Sequence, residues 1–74
     1  MDETIEAVLV EASNTRQRKE TAERAVGRAV RRMGLDYSVY IAAMSELRDL
    51  AETMKTDVDD VLKGLQKGEQ DHTQ

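Results

Sequence analysis

Met33-Gly34-Leu35-Asp36 divides the 74-residue chain almost in half, and its reading decides the fold. Gly34 has no Cβ, so it can take the left-handed conformation that ends a helix without steric cost. Leu35 follows where a hydrophobic residue folds back onto the last helical turn. Asp36 comes next as an N-cap, its carboxylate able to accept orphan amides of a second helix. Stop, latch and start fall in three residues, the chemistry of a tight turn between antiparallel helices.

Upstream, apolar or small residues recur at Ile5, Val8, Ala12, Thr15, Ala22, Val26, Ala29 and Met33. The spacing alternates three and four, a heptad-like seam, except that Lys19 stands between Thr15 and Ala22. Ser13-Asn14-Thr15 lies at this weak point, and Asn14 with Gln17 has capping-box spacing. One long helix from about residue 3 to 33 is expected, because Gly27 is the strongest breaker inside it and costs only about 1 kcal/mol. The alternative is a short helix followed by a second from about Thr15.

Downstream, Tyr37, Tyr40, Met44, Leu47, Ala51, Met54, Val58, Val61 and Leu65 keep the spacing without a gap. Thr56 followed by Asp57, Asp59 and Asp60 reads as an N-cap with acids in the first turn, a local helix start, so a bend near residues 55–56 is expected. Residues 1–67 then form a single all-α domain, and 68–74 a polar flexible tail. Folding at Gly34 opposes Val26 to Met44, Ala12 to Val58 and Ile5 to Leu65, with arms of roughly 45 Å. Two helices leave each seam half exposed, so the expected closure is a homodimer, a dimeric four-helix bundle with Met44, Leu47, Met54, Val58 and Val61 at the self-association seam. The alternative is a compact monomeric three- or four-helix bundle in which residues 3–13 break away and pack back. The two-helix layout resembles that of a small plasmid RNA-binding hairpin that dimerises into a four-helix bundle. That resemblance is of architecture without a shared motif, and architecture does not transfer function.

Composition narrows the classes. A domain this small buries only about two thirds of the surface of its unfolded chain. With no Cys, Pro, Trp or Phe, its core must come from Ile, Val, Leu, Met and Ala. Charged residues make up 35% and the net charge is −4, which points to a cytoplasmic protein and away from a globally basic nucleic-acid binder. The acidic start is the reverse of a targeting peptide, and no apolar run approaches the roughly 20 residues of a membrane span.

Charge is segregated. Residues 16–32 hold seven bases against two acids, whereas residues 1–15 hold four acids and no base, and residues 36–74 hold nine acids against four bases. Arg16, Arg24, Arg28, Arg31 and Arg32 fan over one broad helical face. The plain reading is a solvated face, partly satisfied by Glu20 to Arg24 at i,i+4 and by acids of the second arm. The functional reading is recognition of anions, since Arg suits bidentate contacts to carboxylate or phosphate. No aromatic residue interleaves with these arginines to stack bases, which favours an acidic partner protein over nucleic acid. Tyr37 and Tyr40 either close the bundle end or offer a docking anchor.

Residues 50–62 invite comparison with a helix-turn-helix, but Lys55 replaces the turn glycine. Asp57, Asp59 and Asp60 would also repel DNA phosphates. The same acids lack the glycine and distal glutamate of a calcium loop, and His72 stands without paired ligands. No catalytic set, cofactor loop or metal cluster is expected, so no enzyme. The expectation is a regulator or adaptor of bacterial or phage type that binds a partner protein; the alternative is structured RNA or DNA bound through the arginine face.

Overall fold

The turn at Gly34 is built by two reversed hydrogen bonds. In the computed structural model, which describes residues 2–17 and 19–65, Gly34 has φ +69°. Its N–H donates to the Arg31 carbonyl at 3.0 Å, and the Leu35 N–H donates to that of Val30 at 3.0 Å. This pair satisfies the last carbonyls of helix α2 (Ala22–Arg32) and folds Leu35 against the core. Asp36 then caps helix α3 (Tyr37–Met54), accepting from the Tyr37 N–H at 2.9 Å and the Ser38 hydroxyl at 2.8 Å. Nothing lies within 4 Å of a Cβ added at Gly34, so only backbone strain opposes a side chain there. Gly34→Val should therefore lower stability by roughly 1–2 kcal/mol in chemical denaturation. An unchanged midpoint would contradict the turn.

Neither arm is continuous. Helix α1 spans Glu3–Thr15 and helix α4 spans Val58–Gly64, giving four helices and no strand among the described residues. The expected single helix over 3–33 is thus interrupted at 16–21, just beyond the predicted weak point. The Thr15 hydroxyl bonds back to the Glu11 carbonyl at 2.8 Å, and Arg16 leaves in an extended conformation. Gln17 to Glu20 forms a turn that puts Lys19 in solvent, and Thr21 caps α2. A continuous arm would hold Lys19 in the seam and leave the apolar face of α1 half covered. Breaking it lets α1 pack mainly on α2, and also on α3 and α4. Val8, Leu9 and Ala12 become fully buried with Ala22, Ala25, Val26 and Ala29. Each large side chain so buried contributes about 1.5–3 kcal/mol, against about 1 kcal/mol for each helical hydrogen bond given up. Packing wins.

The bend between α3 and α4 is real and carries strain. Lys55 sits in the left-handed region at φ +58°, where the Thr56 N–H reaches the Ala51 carbonyl at 2.9 Å. Asp57, one residue after the expected cap Thr56, then caps α4, accepting from the Asp60 N–H at 2.9 Å.

The result is a single-chain four-helix arrangement of 37 × 27 × 24 Å, with a radius of gyration of 11.6 Å. An arm of 45 Å does not exist in it. Of the expected self-association seam, Met44, Leu47 and Val61 are buried inside the chain, Val58 is half-buried and Met54 is 60% exposed. Three of the five therefore face the chain's own helices and have no free area for a second copy. The Ile5 and Leu65 ends both pack at the edge of the core. The predicted boundary at 67 and the tail 68–74, with His72, lie outside the described residues, as does Arg18. No described helix is long and apolar enough to cross a membrane.

Candidate functional site

Helix α2 buries Ala22, Ala25, Val26, Ala29 and Val30 and turns its charged side outward. The turn at Gly34 brings the first residues of α3 alongside that charged side. A groove of about 780 Å³ opens there, lined by Arg24, Gly27, Arg28 and Arg31 of α2, Tyr37 and Tyr40 of α3, and by Glu20, Glu23, Val30 and Leu35. Five of the seven sequence-selected partner residues share this groove; Arg16 and Arg32 do not. The Tyr37 and Tyr40 rings stack on each other with centroids 5.4 Å apart. Tyr37 is 69% exposed, and Ile41, one turn on, is exposed too.

The arginines divide by partner. Arg28 donates to the Glu20 carboxylate and, at 2.6 Å, to the Thr15 carbonyl at the end of α1. Glu20 also accepts the Gln17 N–H at 2.9 Å. Arg28 and Glu20 thus form a clasp over the break between α1 and α2. The Arg28 guanidinium and the Gln17 amide together hold the Glu20 carboxyl below its ordinary 4.5. Arg32 pairs with Glu11 of α1 at 3.6 Å in a largely exposed bridge, worth little. Arg16 is half-buried, its Nε without a partner among the described residues. Arg24 and Arg31 remain exposed and make no ion pair among the described residues.

Two sequence expectations change here. Glu20 was expected to pair with Arg24 at i,i+4, a spacing that holds only on a continuous helix. Once Glu20 lies in the loop, it meets Arg28 instead. The acids of the second arm were expected to offset the arginine face, but the acids that do so come from α1 and its loop. The acids near the α3–α4 bend have structural duties of their own. Asp57 caps α4, Asp60 accepts the Thr56 hydroxyl at 2.9 Å, and Asp59 accepts the Ala22 N–H of α2 at 2.7 Å. Each use answers an orphan helix amide or a neighbouring hydroxyl, which is reason enough for carboxylates at this bend.

For three residues the sequence shows the side chain but not the role it takes. Gly27 lies in the groove, where a side chain would project; a lone glycine amid good helix formers was the available signal. Glu20 and Asp59 act over 8 and 37 residues of sequence, and no local pattern announces such pairs. Compared with family models, with curated proteins and with solved structures, the chain finds no match.

Proposed function

We propose that this chain is a small cytoplasmic adaptor or regulator that binds an acidic partner protein through the groove between α2 and the start of α3. The observation that carries the reading is that Arg24 and Arg31 line an open groove without ion-pair partners among the described residues, beside a stacked tyrosine pair of which Tyr37 is exposed and Tyr40 half-buried. Arginine and tyrosine are the residue types that dominate binding energy at protein interfaces. Glu20 and Glu23 line the same groove, so a uniform polyanion would meet repulsion where discrete carboxylates need not.

A second reading, structured RNA or DNA, gains one observation: the tyrosines that the sequence places after the arginines lie beside them in space. One experiment separates the two. Arg24→Glu/Arg31→Glu should leave folding within about 1 kcal/mol, because both residues are exposed and neither is paired among the described residues. Under the protein reading it abolishes capture of a partner from nuclease-treated lysate, and the wild type ignores RNA and duplex DNA at physiological salt. Gel-shift binding that falls log-linearly with salt and vanishes in the variant establishes the second reading instead.

Self-association is a separate proposal, supported by the unbroken heptad spacing over residues 37–65. A dimeric bundle on Met44, Leu47, Met54, Val58 and Val61 requires α1 to leave the core of each chain. Light scattering should then find a dimer together with fast amide exchange at Val8, Leu9 and Ala12. A dimer whose α1 amides stay protected would place the contact elsewhere.

A further inference from the structure

We propose that the α2–α3 groove receives an amphipathic helix of the partner, one that presents two carboxylates two turns apart with an apolar residue between them. This rests on the protein-interaction reading and specifies its ligand. Arg24, Gly27 and Arg31 follow one another at spacings of three and four, so they form one stripe along α2. The seven-residue step from Arg24 to Arg31 spans about 10.5 Å of helix axis. Between them Gly27 contributes no side chain, and a Cβ built there would lie 3.8 Å from the Tyr40 ring. The stripe is therefore cation, recess, cation, with an aromatic wall.

An occupant must match that spacing from one face. In an extended peptide, residues on the same face are separated by about 6.7 or 13.4 Å, and the three-residue step near 10 Å points its side chains to opposite faces. A helix places positions i, i+3 or i+4, and i+7 on one face, at the same 10.5 Å. Carboxylates at i and i+7 then meet Arg31 and Arg24, and an apolar side chain at i+3 or i+4 enters above Gly27 against Tyr40. Arg28 is held by Glu20 and stays out of the exchange. Glu23, exposed beside Arg24, disfavours further acids at that end of the ligand. The mode is helix-in-groove recognition with charged ends.

The test uses the full chain and two labelled, alanine-rich helical peptides of identical composition, titrated by fluorescence anisotropy. One carries glutamates seven residues apart with leucine midway; the isomer has them five apart, on different faces. The seven-spaced peptide should bind at least about tenfold more tightly, the effect of one lost charge contact. Gly27→Met fills the recess, keeps or improves helix propensity, and should remove that preference while circular dichroism stays unchanged. Arg24→Glu/Arg31→Glu should lose the acidic peptide and gain its Glu-to-Lys counterpart. Equal binding of both isomers, lost on arginine reversal, overturns the helical ligand and leaves the acidic-partner reading standing. Binding of neither peptide at roughly millimolar concentration overturns the ligand. Peptide binding that survives arginine reversal, or RNA binding that arginine reversal abolishes, overturns both.

Discussion

Leu47→Asp should unfold the chain. Leu47 is fully buried near the middle of α3, among the largest side chains with no exposure. Deleting such a leucine costs about 2–5 kcal/mol in lost burial and cavity. An aspartate must in addition either bury an unpaired carboxylate or take up a proton, which adds several kcal/mol. A domain of this size has a total stability of about 4–11 kcal/mol at the usual 0.05–0.15 kcal/mol per residue. The sum is of the same size as the whole. Far-UV circular dichroism should show loss of helix at room temperature, whereas Leu47→Met, which conserves volume, should cost less than about 1.5 kcal/mol. A Leu47→Asp chain that stays helical, with an unchanged thermal midpoint, would mean that this seam is not the interior of the single chain.

The second large effect belongs to Arg28, whose guanidinium fastens the loop after α1 to α2. Arg28→Ala removes the guanidinium that joins Glu20 to the Thr15 carbonyl. Hydrogen bonds involving a charged group contribute about 1.5–3 kcal/mol, so a loss of about 2 kcal/mol is expected by urea denaturation at neutral pH. Acid should reveal the same contact. Glu20 binds its proton less tightly in the folded chain than in the unfolded one. Its contribution is complete above the ordinary 4.5 and is lost as pH falls through the lower folded value. The difference between wild type and Arg28→Ala should therefore be widest at neutral pH and narrow in acid below 4.5. A difference independent of pH would show that Arg28 acts through packing alone. Reversing Arg28 as well would confuse unfolding with loss of binding, which is why Arg24 and Arg31 are the pair to change.

Much of the architecture was legible because it is local chemistry. Gly34, Leu35 and Asp36 each do what their side chains dictate, and the acids at 57–60 mark the start of α4 in the same way. The break after Thr15 was only half legible. Lys19 in the seam marked the weak point, but the true cap, Thr21, has Arg24 rather than a glutamate three residues on and so forms no capping box. Continuity along the seam suggested a partner chain, whereas α1 of the same chain covers it. Heptad spacing reports which face is buried and not what buries it. The groove was legible as ingredients, arginines and tyrosines, while their meeting depended on the turn. Which arginines stay unpaired was not legible, since that depends on contacts made by Glu20 and Glu11 across loops and helices.

The bond from Ala22 to Asp59 also bears on the order in which the chain is expected to fold. The second helix is made early, yet one of the amides at its start is answered only by a carboxylate 37 residues later. Until that residue leaves the ribosome, the chain has a helix whose opening is incomplete and a core without Val61 and Leu62. Closing so long a loop comes late in folding, because its entropy must be met before the contact returns anything. The seven residues of α4 are too few to be stable alone. They gain their structure from the body they complete, and the body gains its last fastening from them. A chain cut before Asp59 should therefore lose the answer to the Ala22 amide, the buried Val61 and Leu62 and helix α4 all at once.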